Sequence, residues 1–154
     1  MVLVHDGRRP TILLVEDDPD EEIMMMRSLR HSSIPCETLV AHTTDEALQI
    51  LFGDAEAELP SVIVTDLKVA PDGGAELLKA IRANSRTRLI PVVVLTGSAS
   101  TGQIEELYRM GANSFLEKPL APEEFADTVT ALVRYWGLLN RAPAQAGRAL
   151  PRFS

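Results

Sequence analysis

The chain has 154 residues, a length that fits one domain whose core is large enough to fold without disulfide or metal staples. Its only cysteine, Cys36, excludes an internal disulfide, suits a reducing, cytoplasmic setting and reads as a core residue rather than a reactive one. A net charge of -7 argues against nonspecific nucleic-acid binding, no stretch is long enough to span a bilayer, and the first ten residues lack the apolar core of a signal peptide.

Residues 1–10 read as a flexible head, and residues 11–15, Thr-Ile-Leu-Leu-Val, as a first strand that runs into Glu16-Asp17-Asp18. Asp18-Pro19 then supplies an N-cap and a proline at the first helical position, with Asp20, Glu21 and Glu22 favourable at the positive end of the helix dipole. In the helix that follows, to about residue 31, Ile23, Met24, Met25 and Met26 cannot all face one core stripe. Taking Met25, Ser28, Leu29 and Ser32 as the inward row leaves Ile23 and Met26 partly outward, a candidate partner surface. Residues 36–41 form a second strand, and Thr43 to Glu46 gives a capping box for a helix carrying Ala47, Leu48, Leu51 and Phe52 that stops at Gly53.

Residues 61–66, Ser-Val-Ile-Val-Thr-Asp, organise the rest. An unalternating β-branched run reads as a strand buried on both faces, and it stops at the single carboxylate Asp66. After a loop over residues 70–74, residues 75–83 read as a helix with Leu77, Leu78 and Ile81 inward. Residues 90–95 form a strand ending at Thr96, and a helix opened by Ser100 to Gln103 ends at Gly111. Residues 113–116 form a last strand leading to Glu117-Lys118-Pro119, and a final helix from about Pro122 extends to about Leu139, with Tyr135 and Trp136 near its end. Residues 141–154, rich in Ala, Pro, Arg and Gly, read as a flexible tail after a domain spanning 11–140.

Strands alternating with helices five times over imply an α/β fold: a flavodoxin-like (βα)5 three-layer sandwich with a five-stranded parallel sheet. In such sheets ligands bind at the strands' carboxyl ends. That edge collects Glu16, Asp17 and Asp66, the Thr96 hydroxyl and the Lys118 ammonium, a set suited to a phosphoryl group with a divalent metal.

The ordered set Glu16-Asp17, Asp66, Thr96 and Lys118-Pro119, over about residues 11–134, resembles the receiver domain of response regulators in two-component signalling. The resemblance implies a switch rather than an enzyme. Asp66 accepts a phosphoryl group from a sensor histidine kinase, and Mg²⁺ is held by Asp17, Asp66 and the Lys68 backbone carbonyl, with Glu16 acting mainly through metal-bound water. Thr96 and Lys118 bind the phosphoryl oxygens, and Phe115 is the aromatic that follows Thr96 inward. Ala70 stands where the family commonly has proline, and Gly73-Gly74 where it commonly has Asp-Gly, so the loop after Asp66 departs from the pattern.

The aromatic extension at Tyr135-Trp136 is similar to that of stand-alone regulators paired with bacteriophytochrome kinases. With no output domain expected, it implies a homodimer or partner surface and signalling by protein contact. A phosphorelay shuttle or phosphate sink would use the same chemistry. A flavodoxin-like electron carrier is disfavoured because no Gly/Ser/Thr-rich phosphate loop follows the first strand, and a haloacid-dehalogenase-like phosphatase would need an Asp-x-Asp pattern there.

Overall fold

Burial on both faces of the central strands organises the fold. The computed structural model describes residues 9–69 and 73–141. Its elements are β1 (Thr11–Val15), α1 (Pro19–His31), β2 (Glu37–Ala41), α2 (Thr44–Phe52), β3 (Val62–Thr65), α3 (Gly73–Ala83), β4 (Val92–Thr96), α4 (Thr101–Arg109), β5 (Ser114–Glu117) and α5 (Pro122–Leu132). The last helix continues as a π-helical segment, Val133–Leu139. All strand pairs are parallel and the sheet order is β2-β1-β3-β4-β5, the flavodoxin-like sandwich expected.

Alternate residues of each central strand feed different cores, as the pleat requires. Leu13, Val15, Ile63, Val92 and Val94 pack with Ala47, Leu51, Leu77, Leu78, Ile81 and Leu107, so α2, α3 and α4 cover one face. Ile12, Leu14, Val62, Val64, Val93 and Leu95 pack with Met25, Leu29, Phe125, Val129 and Leu132, so α1 and α5 cover the other. Cys36 lies just before β2 and is half-buried against this second core, where burial pushes its thiol upward.

Local chemistry sets the helix starts. Asp18 caps α1 by accepting from the backbone N–H groups of Asp20 and Glu21. Thr43 caps α2, but Glu46 reaches the His42 N–H rather than that of Thr43, so the expected reciprocal capping box is not closed. Ser100 and Gln103 do close one at α4.

Two placements depart from the sequence reading. Gly73 and Gly74, expected in a loop, open α3; Gly73 has φ 86°, a conformation that only glycine adopts without strain. Pro10, expected in the flexible head, is buried, and its carbonyl accepts the Glu37 N–H at 2.9 Å. Its ring lies 3.3 Å from where a Cβ on Gly137 would stand, so the π-helical segment packs directly on the entry to β1. Residues 1–8 of the expected head, the tail beyond Arg141 and the loop residues 70–72 lie outside the described residues.

Candidate functional site

Ladder hydrogen bonds continue one residue past the strands and fix the side chains at the sheet's carboxyl edge. The Glu16 N–H donates to the Ala41 carbonyl at 2.9 Å, the Asp66 N–H to Val15 at 3.1 Å, and the Lys118 N–H to Thr96 at 2.7 Å. Glu16 and Asp66 thus leave adjacent strands β1 and β3, where the strand order reverses direction and a crevice opens.

Asp66 is buried, with both oxygens engaged. Its Oδ1 accepts the Lys68 backbone N–H at 2.8 Å and the Thr96 hydroxyl at 3.3 Å, and its Oδ2 accepts Lys118 Nζ at 2.5 Å. Lys118 Nζ also donates to Glu21 Oε2 at 2.6 Å and Glu16 Oε2 at 3.0 Å. A small cavity lined by Leu14, Met25, Val64, Leu95 and Phe125 adjoins this cluster and supplies an apolar floor.

That floor sets the electrostatics. Burial alone would raise Asp66, but the Lys118 and Lys68 donors, the Lys118 charge and the Thr96 hydroxyl hold it below its ordinary value. For Glu16 desolvation wins over the Lys118 and Asp18 hydrogen bonds, and its carboxyl is pushed up to about 7. Desolvation opposes the charge on Lys118, yet hydrogen bonds to Asp66, Glu21 and Glu16 hold it above the ordinary lysine range.

Glu16, Glu21 and Asp66 each offer an oxygen within 4.8 Å of the others. Hard oxygen donors at this spacing suit Mg²⁺ or Mn²⁺. The Lys118 ammonium, held by all three, is itself a cation in their midst. Asp17, expected as a direct ligand, is exposed and lies outside this group. Glu21 is the third member of the group. The sequence offered a signal for Glu21: Asp18 as N-cap makes it the third helical residue, which faces back toward the cap and the strand end.

The other expected residues divide. Phe115 is half-buried against the core on the α4 side and pairs with Val94 across the sheet. Ile23 is exposed on α1, whereas Met26 packs against the core. Tyr135 is 50% exposed, but Trp136, expected beside it at a partner surface, turns inward against the second core and meets the Tyr135 ring edge-on at 4.9 Å. The π-helical segment that carries both closes with the Asn140 N–H on the Tyr135 carbonyl at 2.6 Å. Leu120, fully exposed directly after Lys118-Pro119, was not singled out from the sequence.

Known proteins resemble this chain in sequence and fold. The probable methanogenesis regulatory protein FilR2 of Methanothrix harundinacea is 34% identical over 137 residues, covering 88% of this chain and 88% of that protein. The phosphorylated cyanobacterial phytochrome response regulator RcpA matches with a TM-score of 0.82 at 26% identity, over 89% of this chain and 100% of that one. The Mn²⁺-bound form of response regulator Rcp1 matches at 0.79 and 27% identity, over 88% and 99%. The model of the response regulator receiver domain spans residues 12–130, from β1 into α5 and across every strand end described above, and this chain belongs to that family.

Proposed function

We propose that the chain is a phosphorylation-switched signalling module in which Asp66 takes a phosphoryl group from the phosphohistidine of a sensor histidine kinase. The observation that carries this reading is Asp66 itself, a buried carboxylate with Lys118 Nζ at 2.5 Å on one oxygen and the Thr96 hydroxyl at 3.3 Å on the other. In the transfer the P–N bond to the kinase imidazole breaks, its electron pair staying on nitrogen, and a P–O bond forms to Asp66. Such a transfer needs positioning and charge neutralisation more than covalent assistance.

Each residue has a part in it. The Lys68 N–H fixes the Asp66 rotamer, Lys118 neutralises charge on the phosphoryl oxygens, and Thr96 donates its hydroxyl to one of them. We assign Glu16, Asp17, Asp66 and the Lys68 carbonyl to the Mg²⁺ that receiver domains use, which would neutralise further charge on the transferred group. Displacement of Thr96 toward the phosphoryl group would open space for Phe115. The module acts by contact rather than by turnover of a substrate.

For partners, the name of RcpA as a phytochrome response regulator favours a phytochrome-type kinase, here a bacteriophytochrome, as the input, with Ile23 on its docking side. The output surface we assign is a homodimer through α5. Asp127, Thr130, Ala131, Arg134, Tyr135 and Leu139 line one groove, placing an acid, a base and two exposed apolar side chains on one face. A two-fold axis would set Asp127 of one copy against Arg134 of the next.

Incubation with Mg²⁺ and either acetyl phosphate or a bacteriophytochrome kinase with ATP tests the reading. One phosphoryl group, labile in base, should add to the parent and none to Asp66→Asn. Equal modification of the two proteins at equal folding would contradict it.

A further inference from the structure

An ammonium has three N–H donors and no more. In Lys118 all three are committed to carboxylates: Asp66 at 2.5 Å, Glu21 at 2.6 Å and Glu16 at 3.0 Å. A phosphoryl oxygen can therefore reach Lys118 only if one of these acceptors lets go. Asp66 is the group being modified, and the Glu16 side chain is only 5% exposed, so releasing it would strand a buried carboxylate. The Glu21 side chain is 37% exposed and has solvent to enter.

Helix capping explains why Glu21 is at the lysine at all. A glutamate at the third position of a helix commonly accepts the N-cap's backbone N–H. Here that donor, the Asp18 N–H, is taken by Glu16 Oε1 at 3.1 Å, which leaves Glu21 free to cross to Lys118. Phosphorylation raises the negative charge at Asp66 to about -2, and that charge repels Glu21 at the moment its place is needed.

We propose that Glu21 is a positioning residue that occupies the third donor of Lys118 in the unmodified protein and yields it to a phosphoryl oxygen when Asp66 is modified. Glu21 thereby acts as a carboxylate stand-in for the phosphoryl group, keeping Lys118 poised while restraining premature engagement of anions. The inference rests on the assignment of Asp66 and Lys118 made above.

Beryllium fluoride with Mg²⁺, a non-covalent phosphoryl mimic, tests it by titration of the whole chain followed by fluorine NMR. Glu21→Gln should bind the mimic about 5-fold more tightly than the parent, the size expected for a half-exposed charge pair. Glu21→Ala should do the same, and in a Lys118→Ala background Glu21→Gln should change the affinity by less than about 2-fold. Equal affinity of parent and Glu21→Gln, or an equal gain with and without Lys118, would overturn the role of Glu21 alone. A parent that binds no mimic would overturn the assignment of Asp66 and Lys118 as the phosphoryl site, and this inference with it.

Discussion

Glu16 and Asp66 stand at the ends of neighbouring strands and share one lysine, yet their acidities move in opposite directions. The difference lies in the donors: burial desolvates both, but Asp66 gains the Lys68 and Thr96 donors besides Lys118 and stays ionised, whereas burial carries Glu16 up to about 7. The fold consequently holds a proton on Glu16 more tightly than the unfolded chain does. Stability from this group is full below its ordinary 4.5 and is lost as pH rises toward 7. Asp66 acts in the other sense, contributing above the ordinary carboxylate range and losing that contribution in acid, and Lys118 contributes until the pH exceeds its raised value. Exposed His42, raised by its hydrogen bond to Glu22, adds a slope of the same sign as Glu16 at higher pH. In metal-free buffer, urea unfolding should therefore find the parent more stable near pH 5 than near pH 8 by on the order of 1–2 kcal/mol. Glu16→Gln should remove the larger part of that difference, and a slope left intact would deny Glu16 its raised acidity.

At the scale of elements, the reach of sequence reasoning follows from what each signal measures. The strands were legible because β-branched runs ending in polar residues report burial on both faces, and Asp66, Thr96 and Lys118 came with them as strand-end residues. The start of α1 was legible from Asp18-Pro19. The start of α3 was not, because a Gly-Gly pair reads as a loop until the close approach it serves is seen. A Cβ on Gly74 would stand 2.7 Å from the Asp66 backbone carbonyl, so the first turn of α3 lies directly against the strand end that presents the carboxylate. Gly74→Ala should push that backbone aside, costing about 1–3 kcal/mol in stability and slowing phosphorylation by acetyl phosphate. Unchanged melting and unchanged phosphorylation together would show that the contact is relieved without cost. Trp136 escaped for a different reason: neighbours on a helix point about 100° apart, and the sequence does not say which of two adjacent aromatics faces inward; here Tyr135 is exposed and Trp136 turns against the second core.

For the molecule as a whole, the chemistry sits at one edge of the sheet and the assigned output surface on α5, so communication requires an element with two arrangements that both sites bias. Thr96 and Phe115 supply the candidate. The dimer is best tested at Tyr135 and Leu139, which are exposed, rather than at Trp136, whose loss would open the core. Sedimentation of the parent should show association that strengthens about 5- to 150-fold on phosphorylation, the range typical of coupling between sites. Tyr135→Ala combined with Leu139→Ala should abolish association while leaving phosphorylation intact, and a double variant that associates like the parent would remove this groove from the interface. All of this depends on where the phosphoryl group is attached. Borohydride reduces an acyl phosphate to the alcohol, turning a phosphorylated aspartate into homoserine, and peptide mass spectrometry then locates it. After Mg²⁺ and acetyl phosphate treatment, homoserine should appear at position 66 and nowhere else; homoserine at Asp17, Asp18 or any other aspartate, with Asp66 unchanged, would contradict the account.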